Sequence, residues 1–261
     1  MLNYTLITGA SSGIGLEMAK VCAIKGMNVL MVSLPNENLE EKAQSIAANN
    51  NVNTDFFECD LTEIKEIDGL KDWLIKRGYG VNFLINNAGF GGTVKFSEMS
   101  AELVDKMINL NIKATTHMMN RFIPILKENQ PSNILNVSSL ISNQTAPYKA
   151  LYTATKTYVR NLSVSLAYEL KEEGVSVSVL LPGATPTNKV VTHQIEKGNF
   201  AAKVSVMSAY NVAKISIEKA LNGVIIITTG AKNGFLRRLL ASIPNKLIAK
   251  IAINQYKKQN K

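Results

Sequence analysis

The chain has 261 residues, 46% hydrophobic and 19% charged, with a formal net charge of +9 and two cysteines. That length suits one large α/β domain with a sizeable core. Two cysteines without metal-ligand spacing exclude a disulfide scaffold or a zinc module, and no apolar stretch is long and uncharged enough to span a bilayer. Cys22 and Cys59 read as buried thiols in a reducing compartment. The N-terminus enters a strand at once, without a cleavable leader, so a cytoplasmic location is expected. His117 and His193 are isolated, and no metal site is expected.

Residues Asn3 to Ile7 form a short apolar strand pattern, followed by Thr8-Gly9-Ala10-Ser11-Ser12-Gly13-Ile14-Gly15 and then helical periodicity. Strand, glycine-rich turn and helix present backbone N–H groups and a helix N-terminus to a diphosphate. Gly9 allows the tight turn, Gly13 the close approach of a pyrophosphate, and Gly15 the packing of helix on strand; Ser11 and Ser12 add hydroxyl donors. A second strand covers Asn28 to Ser33 and a third Thr54 to Glu58, ending at Asp60-Leu61. The Asp60 carboxylate reads either as a contact to an adenine edge or as the N-cap of a helix beginning near Glu63. A fourth strand, Val81 to Ile85, ends in Asn86-Asn87-Ala88-Gly89, small residues where a ribose can lie against backbone. A long helix is expected over Ala101 to Asn129, with Asn111 inside it needing buried partners. A sixth strand, Val175 to Leu181, ends in Pro182-Gly183, with Thr187 beyond, and a seventh covers Val224 to Thr228. Short strands alternating with amphipathic helices predict a Rossmann-type doubly wound α/β fold: a mostly parallel seven-stranded sheet with helices on both faces.

Tyr152 and Lys156 stand four residues apart, and Ser139 lies thirteen residues before the tyrosine. On a helix, i and i+4 share a face. A free tyrosine titrates near a pKa of about 10, and a nearby ammonium favours the phenolate. With a serine to orient the substrate oxygen, the group suits proton transfer at an alcohol or carbonyl.

Together these pieces resemble the classical short-chain dehydrogenase/reductase family: the Thr8-to-Gly15 loop, Asn86-Asn87-Ala88-Gly89, Asn111, Ser139, Tyr152-x-x-x-Lys156 and Pro182-Gly183-x-x-x-Thr187, in order and at the family's spacing, over residues 1 to about 230. The resemblance implies an NAD(P)-dependent oxidoreductase. Tyr152 would be the general acid/base, and Lys156 would lower its pKa and hold the nicotinamide ribose. Ser139, rather than Ser138, would bind the substrate oxygen, and Asn111 would hold a water in a proton relay. It also implies a mobile lid after Thr187, in which Val190 would face the substrate together with Tyr148, Phe90 and Val94; an apolar or lipid-like carbonyl or alcohol substrate fits them. Homodimers or homotetramers are expected. A non-catalytic NAD(P)-sensing regulator with the same fold is the alternative, and the presence of all four catalytic candidates favours the enzyme.

An acidic residue at the end of the second strand would favour NAD, and a basic one NADP. Here that end reads Ser33-Leu34-Pro35-Asn36. The missing acid argues for NADP, with Ser33 and Asn36 as phosphate donors and Lys42 more remote. NAD is the lesser choice, and Leu34 in place of the usual arginine is the chief departure from the family.

Residues 1–233 are expected to form the catalytic domain and 234–261 a basic amphipathic extension. That extension carries seven of the basic residues and no Asp or Glu, which leaves 22 basic against 20 acidic residues elsewhere. It can pack on the protein or make peripheral membrane contact. Nucleic-acid binding is not expected, since the charge is local and no binding motif accompanies it.

Overall fold

The computed structural model describes residues 2–187, 192, 205–230, 233–234 and 243–259. Seven strands form one sheet: β1 (Leu2–Thr8), β2 (Asn28–Ser33), β3 (Thr54–Glu58), β4 (Tyr79–Asn86), β5 (Ser132–Val137), β6 (Val175–Leu181) and β7 (Ile226–Thr228). Their order is β3-β2-β1-β4-β5-β6-β7, and every neighbouring pair is parallel. The order reverses between β1 and β4. In open α/β sheets a crevice opens at such a point beyond the strand C-termini, where ligands bind. The glycine-rich turn after β1 and the Asn-Asn-Ala-Gly turn after β4 both lie there.

The helices are α1 (Gly13–Ile24), α2 (Leu39–Asn50), α3 (Ile64–Lys76), α4 (Ala101–Ile108), α5 (Thr115–Glu128), α6 (Ala150–Glu169), α7 (Ala209–Leu221) and α8 (Asn245–Gln259). Side chains alternate across a strand, so each strand feeds two cores. Val29 and Met31 of β2 join Met18, Cys22, Leu39, Ile46, Val212 and Ile217 beneath α1, α2 and α7. Leu30 and Val32 join Ile67, Leu70, Leu74, Met118, Phe122 and Leu126 beneath α3 and α5. This two-sided burial explains why the strands read as continuous apolar runs. Both cysteines are buried and unpaired, and burial pushes their thiols up to about 12.

Two expectations need correction. The helix over Ala101 to Asn129 is not one regular helix: a π-helical stretch, Asn109–Ala114, separates α4 from α5. A π turn carries an extra residue and commonly marks a functional position; here it holds Asn111, which is fully buried. Nor does Asp60 cap α3, whose N-cap is Glu63. The Asp60 carboxylate instead accepts from Thr62 N at 2.9 Å, a local turn that leaves the helix to begin later.

Candidate active site

The phosphate-loop candidates are built as a tight cradle. Gly13 has φ of +56°, and a Cβ on it would meet Thr187 Cβ at 2.9 Å, so the threonine closes over the loop. A Cβ on Gly15 would lie 2.2 Å from Gly9 O and 2.5 Å from Asn87 Nδ2, so only glycine lets α1 approach this closely. Asn87 is a strut: its Nδ2 donates to Thr8 O at 3.0 Å and to Gly9 O at 3.1 Å. Thr8 Oγ1 accepts from the backbone N–H of Asn87 and Ala88 at 3.0 and 3.1 Å. The two turns at the switch point are therefore one hydrogen-bonded body. Ser12 is the N-cap of α1 but its side chain makes no capping bond. The first turn of the helix thus keeps donors for an anion.

Asn111, Ser139, Tyr152 and Lys156 converge beside this cradle. Ser139 lies just beyond β5, with its hydroxyl near enough to the Tyr152 phenol to lower it. Burial raises the phenol above the usual tyrosine value, and Ser139 pulls it back down. Lys156 is 5% exposed and donates to Val137 O at 2.9 Å. Burial pushes its ammonium down to about 8. Here the phenol is governed by desolvation and Ser139, with the ammonium turned to a backbone carbonyl. Ser138 is occupied elsewhere: its Oγ donates to Lys156 O at 2.7 Å and ties α6 to β5.

Asn111 uses its side chain to hold the turn after β4. Its Nδ2 donates to Phe90 O at 2.9 Å and to Thr155 Oγ1 at 3.0 Å, and its Oδ1 accepts from Phe90 N at 3.1 Å. A Cβ on Gly89 would lie 2.9 Å from Asn111 Oδ1 and 3.1 Å from Lys156 Nζ. Gly89 is thus the point where the turn, the asparagine and the lysine meet.

A cavity of about 170 Å³ opens beside Tyr152. Of the substrate candidates, Phe90, Val94 and Tyr148 line it; Val190 lies outside the described residues. Sequence reasoning missed Gly91, Phe96, Met99, Leu103, Met107 and Lys149, which also line it. The methionines and leucine come from α4 and the approach to it, a helix whose sequence signals only amphipathicity. α8 reaches the same place: Tyr256 stacks on Tyr148 with ring centroids 3.6 Å apart and planes 6° apart.

The second-strand candidates are less well placed. Ser33 is 4% exposed, and its hydroxyl donates to Leu34 O at 3.2 Å. Asn36, at φ of +65°, borders a polar groove with Glu40, Glu41 and Glu58. Leu61 is buried in the core, and Pro182 O accepts from Leu140 N at 3.0 Å. Gly183 is packed so closely that a Cβ would lie 2.4 Å from Ser205 O. The residue that reaches the phosphate loop is Glu37, unnoticed in the sequence: its carboxylate accepts from Ser11 Oγ, and its backbone carbonyl accepts from Lys42 Nζ. No group of metal-ligating side chains occurs among the described residues.

The model of the short chain dehydrogenase family matches residues 3–198. An uncharacterized oxidoreductase of Bacillus subtilis, DltE, is 33% identical over 188 residues, covering 71% of this chain and 72% of the relative. D-beta-hydroxybutyrate dehydrogenase of Rhizobium meliloti is 29% identical over 199 residues, 76% of this chain and 75% of the relative. Among solved structures, the bulky-bulky ketone specific alcohol dehydrogenase of Comamonas testosteroni superposes with a TM-score of 0.75 at 26% identity, over 94% of this chain and 95% of that one.

Proposed function

The chain belongs to the short-chain dehydrogenase family, an oxidoreductase family, and from that premise we propose that it interconverts an apolar or lipid-like ketone and its alcohol with Tyr152 as general acid and base. One observation carries the reading: Tyr152, whose phenol Ser139 lowers, lines a mainly apolar cavity. Phe90 and Val94 would face the substrate's apolar body. A bound nicotinamide supplies the hydride in reduction and accepts it in oxidation. Ser139 Oγ holds the substrate oxygen, and the Tyr152 phenol gives that oxygen its proton. Lys156, with its ammonium at about 8, would return a proton to the phenolate near neutral pH. Asn111 acts by fixing the Gly89–Phe90 turn against Lys156. In oxidation the proton runs the other way.

NADP(H) is the cofactor we assign, with NAD(H) second. The uncapped first turn of α1 and the Gly9–Gly15 cradle suit the diphosphate. Lys42 supplies positive charge beside the Glu37 backbone. Glu37 opposes a 2′-phosphate and sets the limit of that preference.

Assembly as a homodimer or homotetramer through α5 and α6 follows from the same family reading; Tyr168 of α6 is 69% exposed. Peripheral membrane contact falls to α8, which leaves Leu247 and Ile251 exposed on a helix that also carries Lys246, Lys250 and Lys257. No helix among the described residues is long and apolar enough to cross a membrane. Sizing of the purified protein and co-sedimentation with anionic liposomes test these two points.

The function is tested by NADPH-dependent reduction of a panel of apolar ketones, with Tyr152→Phe as the variant. Abolished turnover with retained NADPH binding is expected. Unchanged turnover overturns the mechanism.

A further inference from the structure

The cavity beside Tyr152 has one feature that an apolar ketone alone does not use. Its wall is built from Phe96, Met99, Leu103 and Met107, yet Lys149 stands in it too. None of the described residues lining the cavity is acidic. Lys149 is half-buried and has no ion pair and no side-chain hydrogen bond among the described residues. Its structural duties are met by its backbone: the N–H donates to Ala146 O at 3.0 Å, and the carbonyl accepts from Thr153 N at 2.8 Å. Any residue but proline supplies those two bonds. Burial also pulls the ammonium below the ordinary lysine value, so the side chain is held where charge is disfavoured. A partly buried cation without a counter-ion is stabilised by an anion brought from outside.

We infer that Lys149 is a substrate-binding residue for a carboxylate, and that the substrate is an oxo acid or hydroxy acid with an apolar chain. This rests on the reading of Tyr152 as the site of carbonyl chemistry and adds the substrate class. Lys149 is the N-cap of α6 and Tyr152 lies in its first turn, and both line the cavity. Both line one cavity of about 170 Å³, so the carboxylate and the reacting oxygen belong to one small molecule. The rest of the chain runs along Met99, Leu103 and Met107. A lysine on a flexible stem recognises the acid as a point charge, tolerant of its exact angle.

Two measurements test the assignment. The first compares kcat/KM for oxidation of 3-hydroxyoctanoate and of its methyl ester, in the wild type, Lys149→Gln and Lys149→Arg. A charge-assisted bond of about 1.5–3 kcal/mol makes the acid-to-ester ratio about 10- to 100-fold in the wild type. The ratio should collapse toward one in Lys149→Gln and persist in Lys149→Arg. An unchanged ratio in Lys149→Gln overturns the proposal. The second measurement is independent of turnover: calorimetric titration with octanoate, with Lys250→Gln as a charge-matched control on α8. Binding should weaken about tenfold in Lys149→Gln alone. Equal weakening in both variants, or in neither, refutes the site. If no alcohol is oxidised but octanoate binding still depends on Lys149, the carbonyl chemistry fails and the acid site stands.

Discussion

Gly91 offers a test of whether the position of the Tyr152 ring governs the rate. A methyl group on Gly91 would lie 2.7 Å from Tyr152 Cδ2, 2.8 Å from Cε2 and 3.1 Å from Cγ. Carbon atoms pack at about 3.5–4.0 Å, so in Gly91→Ala the ring or the loop must shift by about 0.7–1 Å. The phenol also lies near Ser139, and a ring displacement is transmitted to the oxygen that gives and takes the proton. Misplacement of a reacting group by about 1 Å costs on the order of 100-fold. We therefore expect kcat to fall about 30- to 100-fold, which is about 2–2.7 kcal/mol in the barrier. Gly92→Ala is the control, because its nearest contact would be Val94 Cγ2 at 3.9 Å, ordinary packing. The assay is steady-state ketone reduction with NADPH, accompanied by NADPH titration. Cofactor affinity should hold within about twofold, since Gly91 touches the tyrosine and not the phosphate cradle. A kcat for Gly91→Ala within about threefold of Gly92→Ala would falsify the claim that this packing positions the phenol.

Other consequences follow from the same geometry. The raised phenol stays protonated across neutral pH, so reduction should be supported there while oxidation climbs as pH rises toward the phenol's value. Ser139→Ala removes the hydroxyl that pulls the phenol down, and should move the alkaline limb of the oxidation profile upward as well as lowering kcat; an unmoved limb would show that Ser139 does not tune the phenol. Lys156 has its ammonium lowered from 10.5 to about 8, so between those values the unfolded chain holds a proton that the folded one lacks. Stability should therefore rise with pH across that window, and denaturant midpoints of Lys156→Met measured from pH 8 to 10 should show a flatter slope. Glu37→Gln removes a carboxylate that meets Ser11, and should raise the NADPH-to-NADH ratio of kcat/KM roughly tenfold; no change would place Glu37 outside the cofactor site. Tyr256→Ala deletes the stack on Tyr148, worth about 0.5–1.5 kcal/mol, and should raise KM for long-chain substrates more than for short ones.

What the sequence made legible is what depends on short spacing. The Thr8-to-Gly15 turn, the Asn86-to-Gly89 turn and the Tyr152–Lys156 pair are each fixed within a few residues by strand ends and helix periodicity, and the sheet order brings them to one crevice. Glu37 escaped because it lies one residue beyond the strand end Ser33-Leu34-Pro35-Asn36, where a ribose acid is expected. The loop beyond Ser33 turns back through Asn36 and Asn38, both left-handed, a conformation that asparagine tolerates better than most residues. Those two asparagines are a local signal, but they do not say where the loop lands. Lys149 escaped for another reason. A lysine beside a helix start reads as a solvated residue, and only the packing of Met99, Leu103 and Met107 from a separate helix turns its surroundings apolar. The same limit explains the phenol. Spacing put an ammonium near Tyr152 and suggested a lowered value, whereas the fold buries both groups and points Lys156 at Val137 O. Spacing decides which groups meet. The water they keep decides the sign of each shift, and that is set by residues far along the chain.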